Sequence, residues 1–167
     1  EFDLFGLGNN AGQTAFHLLY AYAELGMFGA GHHWSLFSDI DGFPNTLEYW
    51  GPVGMSLCKN VQFRFIPIQG KTRLAIALER PGASADEGIY TDRIELDDVK
   101  PHFNLPDLTA EFRQTRDWGY VELAAVLRKI EWIDLGTDQY DLSGKAIGWG
   151  FNLTTNLKLS ENDCTFL

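Results

Sequence analysis

The sequence predicts an all-β chain folded as an antiparallel transmembrane β-barrel, and three observations predict it. Apolar and polar residues alternate at period two through most of the chain. The longest alternating run, Gly148–Leu159, exceeds the about five or six residues of soluble strands and suits the roughly 9–11 that cross a bilayer. Short links also alternate with long polar ones, as where tight turns close one end of such a barrel and loops the other.

The elements follow in order. The chain opens on EFDLFG, read as a strand. Thr14–Leu25 and Met27–Phe37 form a pair around Gly26, apolar on both faces. Val61, Phe63 and Phe65 then oppose Gln62 and Arg64. Across a turn at Pro67–Lys71, Leu74, Ile76 and Leu78 oppose Arg73, Ala75, Ala77 and Glu79. Leu108, Ala110 and Phe112 oppose Thr109, Glu111, Arg113 and Thr115. Past Asp117–Gly119, Val121, Leu123, Ala125 and Leu127 oppose Tyr120, Glu122, Ala124, Val126 and Arg128. In the last run Trp149, Phe151, Leu153, Thr155, Leu157 and Leu159 oppose Gly148, Gly150, Asn152, Thr154, Asn156 and Lys158. Ser38–Leu57, Pro81–Pro106 and Ile133–Gly144 are long connections, and the second gathers Asp86, Glu87, Asp92, Glu95, Asp97 and Asp98.

Composition limits the function classes. The 167 residues carry a formal charge of −10 and 14% aromatic side chains. So acidic a chain without a basic stripe is repelled by phosphate, which argues against nucleic acid, and its apolar content argues against disorder. A single domain over 1–167, or a fragment of one, suits the length. The mean hydropathy of −0.16 reads as a soluble protein, but averaging a lipid face with a water face gives the same value. Cys58 and Cys164 are too few for a disulfide scaffold, and their pairing stays open. His32 and His33 are adjacent, so on a strand they point to opposite faces and do not share an ion. No GxSxG elbow, P-loop or HExxH is present. No metal, cofactor or enzymatic activity is expected.

Several runs, taken together and in order, resemble DcaP-type outer-membrane porins of Gram-negative bacteria. They are AYAELGMFGAGHHWSLFSD (Ala21–Asp39), FPNTLEYWGPVG (Phe43–Gly54), KNVQFRF (Lys59–Phe65), LAIALERP (Leu74–Pro81), WGYVELAAVLRKIEW (Trp118–Trp132) and AIGWGFNLTTNLKL (Ala146–Leu159). His17 and Leu19 stand where such porins tend to carry basic residues. The resemblance implies a trimeric barrel of about 16 strands and roughly twice this length. It implies residence in the bacterial outer membrane, among lipid and lipopolysaccharide, and passage of small organic anions such as dicarboxylates. About nine strand segments are countable here, so a central fragment of such a barrel is the expected reading.

On this register the pore-lining candidates are Gln62, Arg64, Arg73, Glu79, Glu111, Arg113, Glu122, Arg128, Asn152, Asn156 and Lys158. A ladder of arginines offers carboxylates weak, exchangeable sites, although the same arginines can pair with the neighbouring glutamates. The long segment after Phe37, with Asp39, Asp41, Phe43, Glu48, Tyr49 and Trp50, is a candidate constriction loop. The alternative is a soluble β-barrel or sandwich binding a small apolar ligand, in which the two faces exchange places.

Overall fold

The computed structural model describes residues 2–5, 14–42, 56, 58–81, 99–137, 141–158 and 165–166. Among them are eleven strands and no helix. β1 (Phe2–Phe5) and β2 (Thr14–Leu18) pair with each other as a separate two-stranded sheet. The main sheet holds β3 (Ala21–Leu25), β4 (Phe28–Trp34), β5 (Lys59–Ile68), β6 (Thr72–Glu79), β7 (Val99–Pro101), β8 (Asp107–Arg116), β9 (Gly119–Asp134), β10 (Gly144–Lys158) and β11 (Thr165–Phe166). Its order is β11-β10-β9-β8-β6-β5-β4-β3, with the short β7 on the far end of β9, and every pairing is antiparallel. β3 and β11 end the sheet without pairing to each other, so it stays open.

Expected and observed elements differ at their ends. The run Thr14–Leu25 is split at Leu19 and Tyr20 into β2 and β3, which belong to different sheets. β4 stops at Trp34 rather than Phe37. There the chain leaves the sheet: Ser35 N donates to the Cys58 carbonyl at 2.8 Å, and Ser38 N to the Ser35 carbonyl at 3.1 Å. A register shift between Phe65 and Ile68 extends β5 through Pro67, which the sequence had placed in the turn. The acidic run Asp86–Asp98 and Cys164 lie outside the described residues.

The two faces of the sheet settle which solvent it was built for. Phe63, Leu78, Phe112, Leu123 and Leu127 are all close to half exposed, and Trp149, Phe151 and Leu153 are 69–72% exposed. On the opposite face Gln62, Arg64, Glu79, Asp107, Thr109, Glu111 and Glu122 are all buried. A soluble sheet buries the reverse set. A continuous apolar face across five strands far exceeds the patches that water-soluble monomers expose. Lipid satisfies that face, and it makes every strand bond internal by necessity. The soluble barrel with apolar residues inside is therefore corrected: the alternating faces take the membrane orientation.

The apolar core is correspondingly small. Leu36, from the segment after β4, packs with Ile66, Ala75 and Ala77. Alanines at 75, 77 and 124 are 2% exposed or less, and their small side chains leave room for that segment to lie on the polar face.

Candidate functional site

The polar face gathers charge because the antiparallel register aligns the inward positions of neighbouring strands. Gln62 faces Glu79, Glu79 faces Asp107, Arg73 faces Arg113, and Arg113 faces Glu122. All eleven pore-lining candidates lie on this face. Lys158 is exposed at its end, whereas Asn152 and Asn156 are half-buried.

The segment 35–42 crosses this face and is tied to four strands. Leu36 N donates to Glu79 Oε1 at 2.9 Å, and Asn152 Nδ2 donates to the Phe37 carbonyl at 3.0 Å. Tyr120 donates its hydroxyl to Asp39 Oδ2 at 2.8 Å. Arg113 reaches Asp41 at 2.7 Å, Glu122 at 3.4 Å and Asp39 at 3.9 Å, with its guanidinium 3.8 Å from the Tyr120 ring centre. Asp39 and Asp41 therefore pair directly with arginine on this face rather than facing it across the lumen. The other members of the expected constriction loop, Phe43, Glu48, Tyr49 and Trp50, lie outside the described residues.

The arginines are not equivalent. Arg73 pairs with Glu111 at 3.0 Å. Arg128 grips Asp107 Oδ2 through Nε at 2.8 Å and Nη2 at 2.5 Å. Arg64 has no carboxylate within ion-pair distance among the described residues. Its Nε donates to Gln62 Oε1 at 2.6 Å and its Nη2 to the Trp34 carbonyl, while its guanidinium sits 5.1 Å from the Tyr22 ring centre. His33 lies against Tyr20 and Tyr22 with Nδ1 3.5 Å from Arg64 Nη2. Arg64, Arg73 and Arg113 all line a cavity of about 220 Å³ together with Glu111, Glu122 and Asp39.

Glu79 mirrors Arg64 with the opposite sign. It is 1% exposed, accepting from Leu36 N, from Thr109 Oγ1 at 2.6 Å and from Asn60 Nδ2 at 3.1 Å. Those three donors are neutral, and no cation is within ion-pair distance among the described residues. Hydrogen bonds of this kind are what let a charged group stay away from water.

Tyr22 and Asp107, which the sequence reading did not single out, complete the site together with His33, weighed there only as a metal ligand, and Tyr120, placed there on the polar face without a role. Asp107 had a legible signal, since it stands two residues before Thr109 and so shares its face. Tyr120 had the same signal relative to Glu122.

Compared with known proteins, residues 1–167 match the model of a family described as DcaP outer membrane protein. A solved structure, the crystal structure of the outer membrane channel DcaP of Acinetobacter baumannii, has the same fold at a TM-score of 0.73 and 18% sequence identity. The likeness covers 96% of this chain and 42% of that one. No curated protein matches the sequence.

Proposed function

Because the chain belongs to the DcaP outer membrane protein family, we propose that it builds part of the wall of a passive channel for small hydrophilic, anionic solutes of the dicarboxylate class. The apolar face meets outer-membrane lipid and, at the loop end, lipopolysaccharide. The polar face meets the solute. Homotrimeric assembly belongs to the same proposal and is checked by cross-linking the protein in detergent.

Arg64 is the observation that carries the anionic part. Among the described residues no carboxylate lies within ion-pair distance of it, and it lines the same cavity as Arg73. A carboxylate that reaches it gains a charge-assisted hydrogen bond at the cost of few existing ones. Because Arg73, Arg113 and Arg128 are already paired, attraction stays local, and the solute is released rather than retained. Asp39 and Asp41 are paired with Arg113 on the same wall, so the segment 35–42 narrows the path without setting a field across it.

The test is the reversal potential of Arg64→Ala and Arg128→Ala in planar bilayers under a salt gradient. Arg64→Ala is expected to lose anion preference and Arg128→Ala to change it less. Unchanged anion preference in Arg64→Ala would overturn the reading.

A further inference from the structure

The outward face changes character along one line. On β9 the apolar positions Val121, Leu123 and Leu127 give way to Lys129 and Glu131, and on β10 Phe151, Trp149 and Ile147 give way to Lys145. The register sets Ile147 opposite Lys129 and Lys145 opposite Glu131, so both strands change at the same height. Lys129 stands ten residues beyond Gly119, where the short turn enters β9. At about 3.3 Å per residue and a tilt of about 40°, that is a height of about 25 Å, the height of a barrel's apolar band. Lys129 and Lys145 therefore stand where hydrocarbon ends, on the side of the long connections.

The charge there is not balanced. Glu131 is already engaged at both oxygens: Lys129 Nζ is 2.6 Å from Oε1, and Asn104 Nδ2 donates to Oε2 at 2.6 Å. Lys145 is exposed and has no carboxylate within ion-pair distance among the described residues. Both lysines line a groove of about 580 Å³ whose walls include Leu105, Leu108, Leu127 and Ile147. Leu127 and Ile147 continue the apolar face toward the middle of the membrane, so the groove has hydrocarbon walls and cations at its outer end. An inorganic anion would leave those walls empty, and a neutral acyl chain would leave Lys145 unanswered. An acyl chain carrying a phosphate at its outer end answers both. We propose that this groove is a lipopolysaccharide site, seating one acyl chain against Leu108, Leu127 and Ile147 with a lipid phosphate between Lys145 and Lys129. The site rests on the reading above, that this face meets outer-membrane lipid with its long connections outward.

The probe is diphosphorylated lipid A, added to the protein in detergent and counted as a bound adduct by native mass spectrometry. Lipid A stripped of its phosphates is the counterpart, and inorganic phosphate is the competitor. One lipid A is expected to bind about tenfold or more tighter than the stripped lipid, and inorganic phosphate is expected not to displace it. Lys145→Gln removes a charge at an exposed position and is expected to weaken lipid A about tenfold, while Lys145→Arg retains binding. Lys71→Gln, in the turn at the opposite end of the sheet, is expected to change nothing. Equal binding of the stripped lipid, full affinity in Lys145→Gln, an equal loss in Lys71→Gln, or displacement by inorganic phosphate each overturns the phosphate site and leaves the lipid-facing orientation standing. Binding of neither lipid overturns both.

Discussion

Tyr120, on β9, holds Asp39, eighty-one residues earlier in the chain, through a 2.8 Å hydrogen bond from its hydroxyl. The same phenol ring carries the guanidinium of Arg113 on its face, and Arg113 in turn reaches Asp39 and Asp41. One aromatic side chain therefore fastens the segment after β4 to the wall by two routes.

Tyr120→Phe keeps the ring under Arg113 and removes only the hydroxyl. The Asp39 side chain is 2% exposed, so its carboxylate loses a donor that water cannot fully replace. The expected cost is about 1–3 kcal/mol, read as a lower urea midpoint. Open-channel current noise should rise as the segment loosens. A variant as stable and as quiet as the parent would remove the fastening role.

Arg128 and Lys129 are consecutive, yet their ion pairs should differ sharply in worth. Arg128 pairs with Asp107, whose side chain is 1% exposed, whereas Lys129 pairs with Glu131 where both side chains are only partly covered. Arg128→Ala strands a buried carboxylate and is expected to cost about 3–5 kcal/mol. Lys129→Ala is expected to cost about 1 kcal/mol or less. The double change Arg128→Met with Asp107→Leu should recover most of the loss, because a matched apolar pair carries no desolvation penalty. Equal destabilisation by the two single changes, measured by urea unfolding, would contradict this.

The alternation of Val61, Phe63 and Phe65 with Gln62 and Arg64 made the faces legible from the residues alone, since a strand's side chains alternate whatever surrounds it. The pairing partners were not legible. That Arg64 has no carboxylate partner among the described residues while Arg128 is gripped by Asp107 depends on register between strands and on the path of the segment after Trp34. Both are set by long-range packing. The inward turn at Ser35 is a case in point. Leu36 is apolar in a polar setting, and only Ile66 and the alanines at 75 and 77, from strands some thirty to forty residues away, show where it packs. Lumen and core residues of a barrel of this kind share one face, so periodicity cannot separate a residue that meets solute from one that a loop covers.

Gly31 and Gly70 both have positive φ, +135° and +126°, and alanine should cost each something for that reason alone. Around Gly70 a Cβ would meet nothing within 4 Å. Gly70→Ala is therefore expected to cost about 1–2 kcal/mol from backbone strain. At Gly31 a Cβ would collide with the backbone oxygen of Ala21 and lie 2.7 Å from Tyr22 Cα. No side-chain rotation relieves a clash with backbone, so β3 and β4 must separate. Gly31→Ala is expected to cost about 3 kcal/mol or more, and thermal unfolding in detergent distinguishes the two. Equal losses would mean that strain, and not close approach, explains the glycine at 31.

Phe151 and Asn152 are neighbours at the middle of β10 and point to opposite faces, so arginine at each probes a different solvent. Phe151 is 69% exposed on the apolar face. Phe151→Arg places a charge in hydrocarbon and should cost about 2–4 kcal/mol near the bilayer midplane. Asn152→Arg forfeits the hydrogen bond to the Phe37 carbonyl, about 1 kcal/mol, but its charge stays among polar groups. The difference should appear for protein folded into lipid vesicles and shrink in detergent micelles, where a long side chain reaches water more easily. A soluble barrel would reverse the order, because there Phe151 would be core and Asn152 surface. The sign of this one difference therefore tests the orientation of the whole sheet, independently of any solute or selectivity.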